Sequence, residues 1–564
     1  MQFKKYALRL GLILLPTISF SQTTFLPEGD KQEIILDRLE IKAQKDPVLN
    51  FSKTKPYSRK FFVNTVRAYS NGDSVNANLT EVDKYYIKSL LQNNIEWMPE
   101  NERETLQSKK PLWNTFYKYP AGLYETHNKD FDLVINPMLN FGVMKESDNN
   151  QNLFYNSRGI SFRGKIANKI GFAGSITDNQ ERQPQYVQDW VNARTAVPGA
   201  GYYKEFKAAG GVDYFDARGY VTFGVTKYID VAFGYDKNFI GNGQRSLFLS
   251  DFGNNYLFLK LNTRIGKLNY QNLFMELHQA YQRGGDKLLG KKYAAMHHLD
   301  MNVTKWLNIG LFEGVIFGRT NHFEFGYLVP IIFLRSVERN NGSPDNSVVG
   351  IDFKANVAKT AQFYGQLMLD EFKLSEATSG SGWWANKFGY QLGAKYIDAF
   401  RVKNLDLQLE WNRVRPFTYS HDDSVANYSH YNQPLAHPLM ANFNEFMGVL
   451  RYRPLPKWMV EGRLMFYTQG LDSTADVNFG SNLFLPNTFG RTTDYGYDVG
   501  GGWKTDAALA NLLVSYEVKE NLFIDANLSM RKQRYAAPPT EPTKNATVFS
   551  LGVRWNMARR NFWF

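Results

Sequence analysis

From Phe131 onward, apolar side chains recur at every second position, and that period confines the rest of the chain to strands. Ile160, Phe162 and Ile166 alternate with Ser161, Arg163 and Lys165, and Ile170, Phe172 and Ile176 alternate with Gly171, Ala173, Ser175 and Thr177. A period of two sends successive side chains to opposite faces, so each stretch has one apolar face and one polar or small face. The joint between these two stretches, Ala167-Asn168-Lys169, is too short for anything but a tight hairpin.

Such joints recur along the chain at Thr226-Lys227-Tyr228, Ile265-Gly266-Lys267, Thr304-Lys305-Trp306, Ala358-Lys359-Thr360-Ala361, Val402-Lys403-Asn404, Leu455-Pro456-Lys457 and Val518-Lys519-Glu520-Asn521. With a strand at Phe131 to Val143 before them and another at Thr547 to Trp555 after them, the total is about eighteen, an even number. The connections between hairpins are long: roughly 179–212, 237–254, 278–292, 319–346, 371–386, 415–442, 468–505 and 533–545. Short turns at one end and long loops at the other are the asymmetry of outer-membrane barrels, whose short turns are periplasmic. The pattern predicts an all-β transmembrane barrel of about eighteen antiparallel strands over 131–564, in the outer membrane with its long loops extracellular.

Composition fits that expectation. Aromatics make up 15% of the chain, with 33 Tyr, 42 Phe and 11 Trp, yet mean hydropathy is only −0.42. Strands that turn apolar rings to lipid and polar groups to a wet lumen reconcile the two. Beyond the first residues, no window approaches the roughly eighteen apolar residues of a membrane helix. The absence of cysteine excludes a lipoprotein anchor, disulfides, thiol catalysis and thiolate metal sites. The net charge of +12 falls to +9 when Lys4, Lys5 and Arg9 are removed. A basic surface of that size suits anionic lipopolysaccharide or an acidic glycan as well as plain solvation. Nucleic acid is a poor partner for an exported chain without a basic helix.

Residues 1–21 have the order of a secretory signal: a basic start, an apolar stretch from Leu10 to Phe20, and small residues at Ser19 and Ser21, with cleavage expected between Ser21 and Gln22. Residues 22–130 read as a periplasmic or lumen-plugging segment with short helices at Glu33 to Lys42 and Thr80 to Asn94, the second capped by Thr80 or Asn78. Phe51 to Tyr69 between them shows little regular period.

Little in the sequence points to catalysis. His430 and His437 lie seven apart with Asp422 or Asp423 as a third zinc ligand, but the favoured reading is a polar loop folded into the barrel mouth. His297 and His298 are adjacent on a strand and point to opposite faces, so they form no joint site. Gly241-Asn242-Gly243-Gln244-Arg245-Ser246 lacks the ending of a phosphate-binding loop and reads as a turn that sends Arg245 and Ser246 toward the lumen. No nucleophile elbow is present. Trp190, Trp383, Trp384 and Trp503 lie on or near long connections, where flat rings serve either as sugar platforms or as an interfacial girdle. Arg245, Trp383 and Trp384 are the candidate glycan contacts, and no catalytic residue, metal or cofactor is expected. Phe564 supplies the terminal aromatic that the outer-membrane assembly machinery reads.

Gly234-Tyr235-Asp236-Lys237-Asn238-Phe239-Ile240-Gly241-Asn242-Gly243-Gln244-Arg245-Ser246-Leu247-Phe248-Leu249-Ser250-Asp251, with Lys55-Pro56-Tyr57 and the His430 to Pro438 loop, resembles gliding motility proteins of the RemB type from Bacteroidetes. These are similar in plan to the Wzi capsule assembly barrel, which has eighteen strands behind a helical periplasmic segment. The resemblance implies a cell-surface role: gliding movement, or attachment of capsular polysaccharide. The expected partners are outer-membrane lipid, the barrel assembly machinery, and surface polysaccharide or motility-apparatus proteins. A porin or specific channel is the first alternative, an outer-membrane hydrolase the second.

Overall fold

The computed structural model describes residues 23–70, 78–282, 284, 287–320, 322–536 and 542–564. The expected signal and its Ser21–Gln22 junction lie outside them. Eighteen antiparallel strands form one closed barrel. They are β1 Phe131–Glu146, β2 Leu153–Ile166, β3 Ile170–Arg182, β4 Gly211–Gly224, β5 Ile229–Asp236, β6 Tyr256–Ile265, β7 Leu268–His278, β8 Lys291–Asn302 and β9 Leu307–Phe317. The circuit continues with β10 Asn346–Val357, β11 Ala361–Glu371, β12 Lys387–Tyr396, β13 Leu405–Val414, β14 Phe443–Tyr452, β15 Trp458–Leu471, β16 Trp503–Lys519, β17 Leu522–Tyr535 and β18 Lys544–Trp555. Closure is made by β18 on β1, in register from Val548 opposite Glu146 to Trp555 opposite Leu139. Two short pieces, Tyr124–His127 on β1 and Lys204–Phe206 on β4, extend the sheet without adding to the circuit.

The turns explain the register. Ala167 and Asn168 have φ of 50° and 52°, and Ala358 and Lys359 have 53° and 57°. Two left-handed residues in succession make the turn whose twist matches a hairpin. All eight expected joints are at one end of the barrel, and the long connections are at the other. Outward residues such as Ile160, Phe162, Ile351, Phe353, Leu464, Phe466, Leu551 and Val553 are exposed, while their inward neighbours Asp352, Lys354, Gln366, Gln391 and Glu410 are buried. An exposed apolar band around a polar, filled interior is the pattern of a barrel that lipid surrounds. No described helix is long and apolar enough to cross a membrane.

The segment before the barrel folds around its own core and closes the short-turn end. Helices α1 Lys31–Ala43, α2 Arg59–Ser70 and α3 Glu81–Gln92 bury Leu36, Leu39, Phe62, Val66, Ile87 and Leu90 against one another. The Thr80 hydroxyl accepts from the Asp83 amide at 3.1 Å and the Asp83 carboxylate accepts from the Thr80 amide at 3.0 Å, a reciprocal cap. Helix α2 lies inside the stretch read as irregular. Phe62, Val63, Val66 and Tyr69 are buried at helical spacing, a signal interrupted in the sequence by Lys60, Asn64 and Arg67.

The other end of the chain also departs from expectation. The last strand ends at Trp555, so Phe564 is not its terminal aromatic. Residues 556–564 turn into the lumen instead, where Phe564 is buried against Tyr186, Trp190 and Phe252. Arg560 pairs with Glu181 at 2.6 Å and Arg559 with Glu461 at 3.5 Å along the way. Terminal aromatics suited to a strand end are equally suited to an aromatic pocket, and here the pocket holds Phe564.

Candidate functional site

The lumen is occupied by protein. The connection 237–255 descends into it, and Leu247, Phe248 and Leu249 are fully buried against inward residues Phe312, Met296, Val348 and Met368 of the wall. Phe248 and Phe312 stack with centroids 4.4 Å apart and planes 7° from parallel. From the connection 415–442, the Tyr419 hydroxyl donates to the Leu247 carbonyl at 2.8 Å. The Tyr428 hydroxyl donates to the carbonyl of Phe248. A two-stranded ribbon joins Thr54–Lys55 to Phe239–Ile240, so two of the motifs quoted for the family resemblance meet inside the barrel.

Arg245 belongs to this filling, not to an outer surface. It is 9% exposed. Its guanidinium donates to Glu445 at 3.4 Å and to the Trp563 carbonyl, and its amide donates to Glu410 at 3.1 Å. The Gln244 amide donates to the same carboxylate at 2.7 Å. A Cβ on Gly243 would lie 2.7 Å from the Arg245 carbonyl oxygen and 2.5 Å from a Glu410 oxygen, so a side chain there would force the turn or the carboxylate to shift. Ser246 is turned inward as expected, donating to the Ile240 carbonyl at 2.5 Å. Arg245 is thus an interior brace joining the loop, the wall and the tail.

Trp383 and Trp384 stand at the mouth, where the connections 372–386, 415–442 and 472–502 come together. The Trp384 amide donates to the Asp494 carbonyl at 3.0 Å and the Tyr497 amide to the Gly382 carbonyl at 2.9 Å. Arg491 lies 3.8 Å over the Trp384 ring, and Phe417 meets the ring edge-on at 5.9 Å. Arg415 ties the two outer loops by donating to the carbonyls of Trp383 at 3.2 Å and Tyr497 at 3.0 Å. Phe489 and Tyr495 are exposed beside them. Among the described residues, Arg245 and the two tryptophans share no partner, so the three do not form one constellation. Phe489, Arg491 and Tyr495 were not singled out in the sequence. Their signal is an aromatic pair and an arginine in a long stretch rich in Gly, Asn and Thr. Of the other tryptophans, Trp190 packs inside against Phe564 and Trp503 lies 5.3 Å from Tyr535 at the start of β16.

The histidine-rich loop is held by hydrogen bonds. His430 is buried; its Nδ1 accepts from the His278 amide at 2.9 Å and its Nε2 lies 2.9 Å from the Asn255 carbonyl. Burial, which favours the neutral ring, pushes its pKa down to about 3. His437 meets Glu445 at 2.8 Å through Nε2, accepts from the Leu439 amide at 3.1 Å through Nδ1, and stacks on Phe443 at 4.3 Å. Each ring therefore spends both nitrogens on fastening the loop.

No family model matches the chain, and no curated protein matches it. Among solved structures it is similar to Wzi of Escherichia coli, described as an outer membrane protein involved in group 1 capsule assembly and as a carbohydrate-binding β-barrel. That likeness has 11% identity over 96% of this chain and 100% of that one, with a TM-score of 0.56. OprD of Pseudomonas aeruginosa matches at 11% identity over 75% of this chain and 94% of its own, with a TM-score of 0.41. OccAB4 of Acinetobacter baumannii matches at 8% identity over 76% and 98%, with a TM-score of 0.42. At such identity the likeness to Wzi is one of fold: this chain has the architecture of an eighteen-stranded outer-membrane barrel.

Proposed function

We propose that this chain is a non-enzymatic barrel of the outer membrane that binds surface polysaccharide at its mouth and passes no solute through its lumen. The observation that carries this reading is the obstructed interior: the helical segment occupies one end, and the connections 237–255 and 415–442 with the tail 556–564 occupy most of the rest, leaving a cavity between the tail and Asn140, Ser157, Asn511, Asn527 and Arg531. A wall sealed in this way has its free chemistry on the long loops, which in this reading are extracellular. There Trp383, Tyr495 and Phe489 offer flat apolar faces that suit sugar rings, beside Arg491, whose guanidinium is stacked on Trp384 and paired with Asp494. The shared fold with a carbohydrate-binding barrel supports the same reading. Support of gliding movement is a second reading, carried by the motif resemblance at Lys55-Pro56-Tyr57 and Gly234 to Asp251.

The test has two arms. Purified protein in planar bilayers is expected to give no large steady conductance, and such a conductance overturns the sealed barrel in favour of a porin. A Trp383→Ala, Tyr495→Ala variant is expected to assemble normally, keep its heat-dependent gel migration and retain less extracellular polysaccharide in a pull-down. Full retention by an assembled variant removes the mouth as the glycan contact.

A further inference from the structure

The outward face of β7 to β9 breaks the apolar rule of the wall. Asn272, His297 and Glu313 are direct cross-strand partners. The same row continues as Val349 on β10 and Leu369 on β11. The direction of these side chains follows from their neighbours. His298 points inward, bonded at 2.7 Å to Asp352, whose carboxylate also meets Lys53 of the helical segment. His297 therefore points out. An amide, an imidazole and a carboxylate in a row would face lipid, yet all three are buried, whereas Val349 in the same row is exposed.

The cover is the connection 318–345, which lies on the outside of the barrel. Glu313 accepts from the amides of Phe333 at 2.6 Å and Leu334 at 2.8 Å, and from His297 Nδ1 at 3.0 Å. Phe323 meets the outward rings of Phe274, Tyr293 and Phe317 edge-on, and Tyr327 packs on Phe317 at 4.7 Å. The two limbs are tied at the rim, where Arg319 donates to both carboxylate oxygens of Asp345 at 2.8 Å. From Glu313 a short helix, Leu334–Asn340, climbs back toward the rim with Arg335 and Arg339 exposed.

The face this connection turns away from the wall is apolar. Phe325, Val329, Ile331 and Phe333 are exposed, the first at 78%, the last two above 60%. Phe333 is held on Glu313, directly beside exposed Val349 of the lipid-facing band. Exposed apolar surface of this kind needs an occupant, and its continuity with the band around the barrel identifies that occupant. We infer that the connection 318–345 is a strap lying in the membrane against the outer wall, with lipid acyl chains covering its Phe325–Phe333 face. The strap seals the polar row from hydrocarbon and presents a replacement lipid-facing surface. It reaches the level of the Val349–Leu369 row, two residues along the strand from Glu371, which places Phe333 among acyl chains just beneath the headgroups. Arg335 and Arg339, on the ascending limb, extend toward those headgroups.

This inference rests on the reading of the chain as a membrane barrel, and one experiment separates the two. Because the chain has no cysteine, single Ile331→Cys, Phe333→Cys, Val349→Cys and Gly380→Cys variants of the full chain each carry one nitroxide label. In phosphatidylcholine vesicles, the relaxation of each label by oxygen, which enters lipid, is compared with that by a water-soluble nickel chelate. The ratio at 331 and 333 is expected to match that at 349 and to exceed that at 380. A ratio at 331 and 333 equal to that at 380 lifts the strap into water and overturns the inference. Shielding of 331 and 333 from both reagents puts a second protein chain there, and also overturns it. Water exposure at 349 overturns the membrane barrel itself. Heat-dependent gel migration confirms assembly, and Val329→Cys substitutes for either strap variant that fails to assemble.

Discussion

At the short-turn end the lumen is closed by a folded segment that meets the wall mainly through charges, whereas toward the mouth it is closed by loops that bury an apolar cluster against the wall beside a smaller polar set at Glu410 and Glu445. The first contact set includes Lys354–Glu40 at 2.6 Å, Lys395–Asp37 at 2.7 Å, Arg163–Glu96 at 2.7 Å, Lys53–Asp352, and Arg38 with Asp398 and Asp406. The second set is Leu247, Phe248, Leu249, Tyr428, Leu435 and Ala436 against the inner wall. The difference follows from where each part gets its core. The helical segment has one of its own, so its remaining surface is polar and must be matched by polar groups on the wall. The loops have none and complete a core only by using the wall's.

The largest expected effect is that of Arg38→Ala combined with Lys42→Ala, which leaves Asp83 and Asp398 with neither of their cations and Asp406 with Arg453 alone. Breaking a buried charge network costs about 3–5 kcal/mol, enough to release the segment to added protease while the barrel persists on gels. Phe248→Ala should cost about 3 kcal/mol through the cavity left beside Phe312. It should loosen the mouth, seen as faster hydrogen exchange in 237–255, and leave the helical segment protected. Protection lost at both ends in either variant would mean that the two closures are one cooperative unit.

A smaller effect depends on pH. The Glu28 Oε1 is buried without a hydrogen-bond partner. Burial first, and then the charges of Asp251 and Asp236, raise its pKa from 4.5 to about 8. A raised carboxyl pKa gives a contribution that is complete below about 4.5 and is lost as pH climbs through about 8. The segment should therefore resist protease better at pH 5 than at pH 9, and Glu28→Gln should flatten that difference. An unchanged pH profile in the variant would remove Glu28 as its source. The smallest change is expected from Glu81→Gln, which removes only the exposed pair with Lys84. That pair contributes about 0.2–0.5 kcal/mol, and thermal unfolding of the variant should match the parent within that margin.

The barrel was legible because each hairpin writes its own period and its own turn, both local properties. Helix α1 and the Thr80 cap were legible for the same reason. What stayed hidden depends on partners far away in the chain. Arg245 looked like a loop residue because its brace, Glu445, and the carbonyl of Trp563 come from other parts of the sequence. Phe564 looked like a strand end because Tyr186, Trp190 and Phe252 are brought to it by two separate connections. The opposite facing of His297 and His298 could be read from strand geometry alone. That the outward one lies under the connection 318–345 could not, since a long connection carries no mark of which side of the wall it will follow.

The inward-turning tail makes the two sides of the barrel sequence depend on each other. It leaves β18 at the short-turn end and runs up the lumen to Phe564, so that end is where it entered. The helical segment now lies across the same opening, with Gly29 close against Ala558. The segment thus stands between the tail and the opening through which it would leave the lumen. Residues that precede the first strand thereby cover a piece that follows the last one, and each holds the other in place.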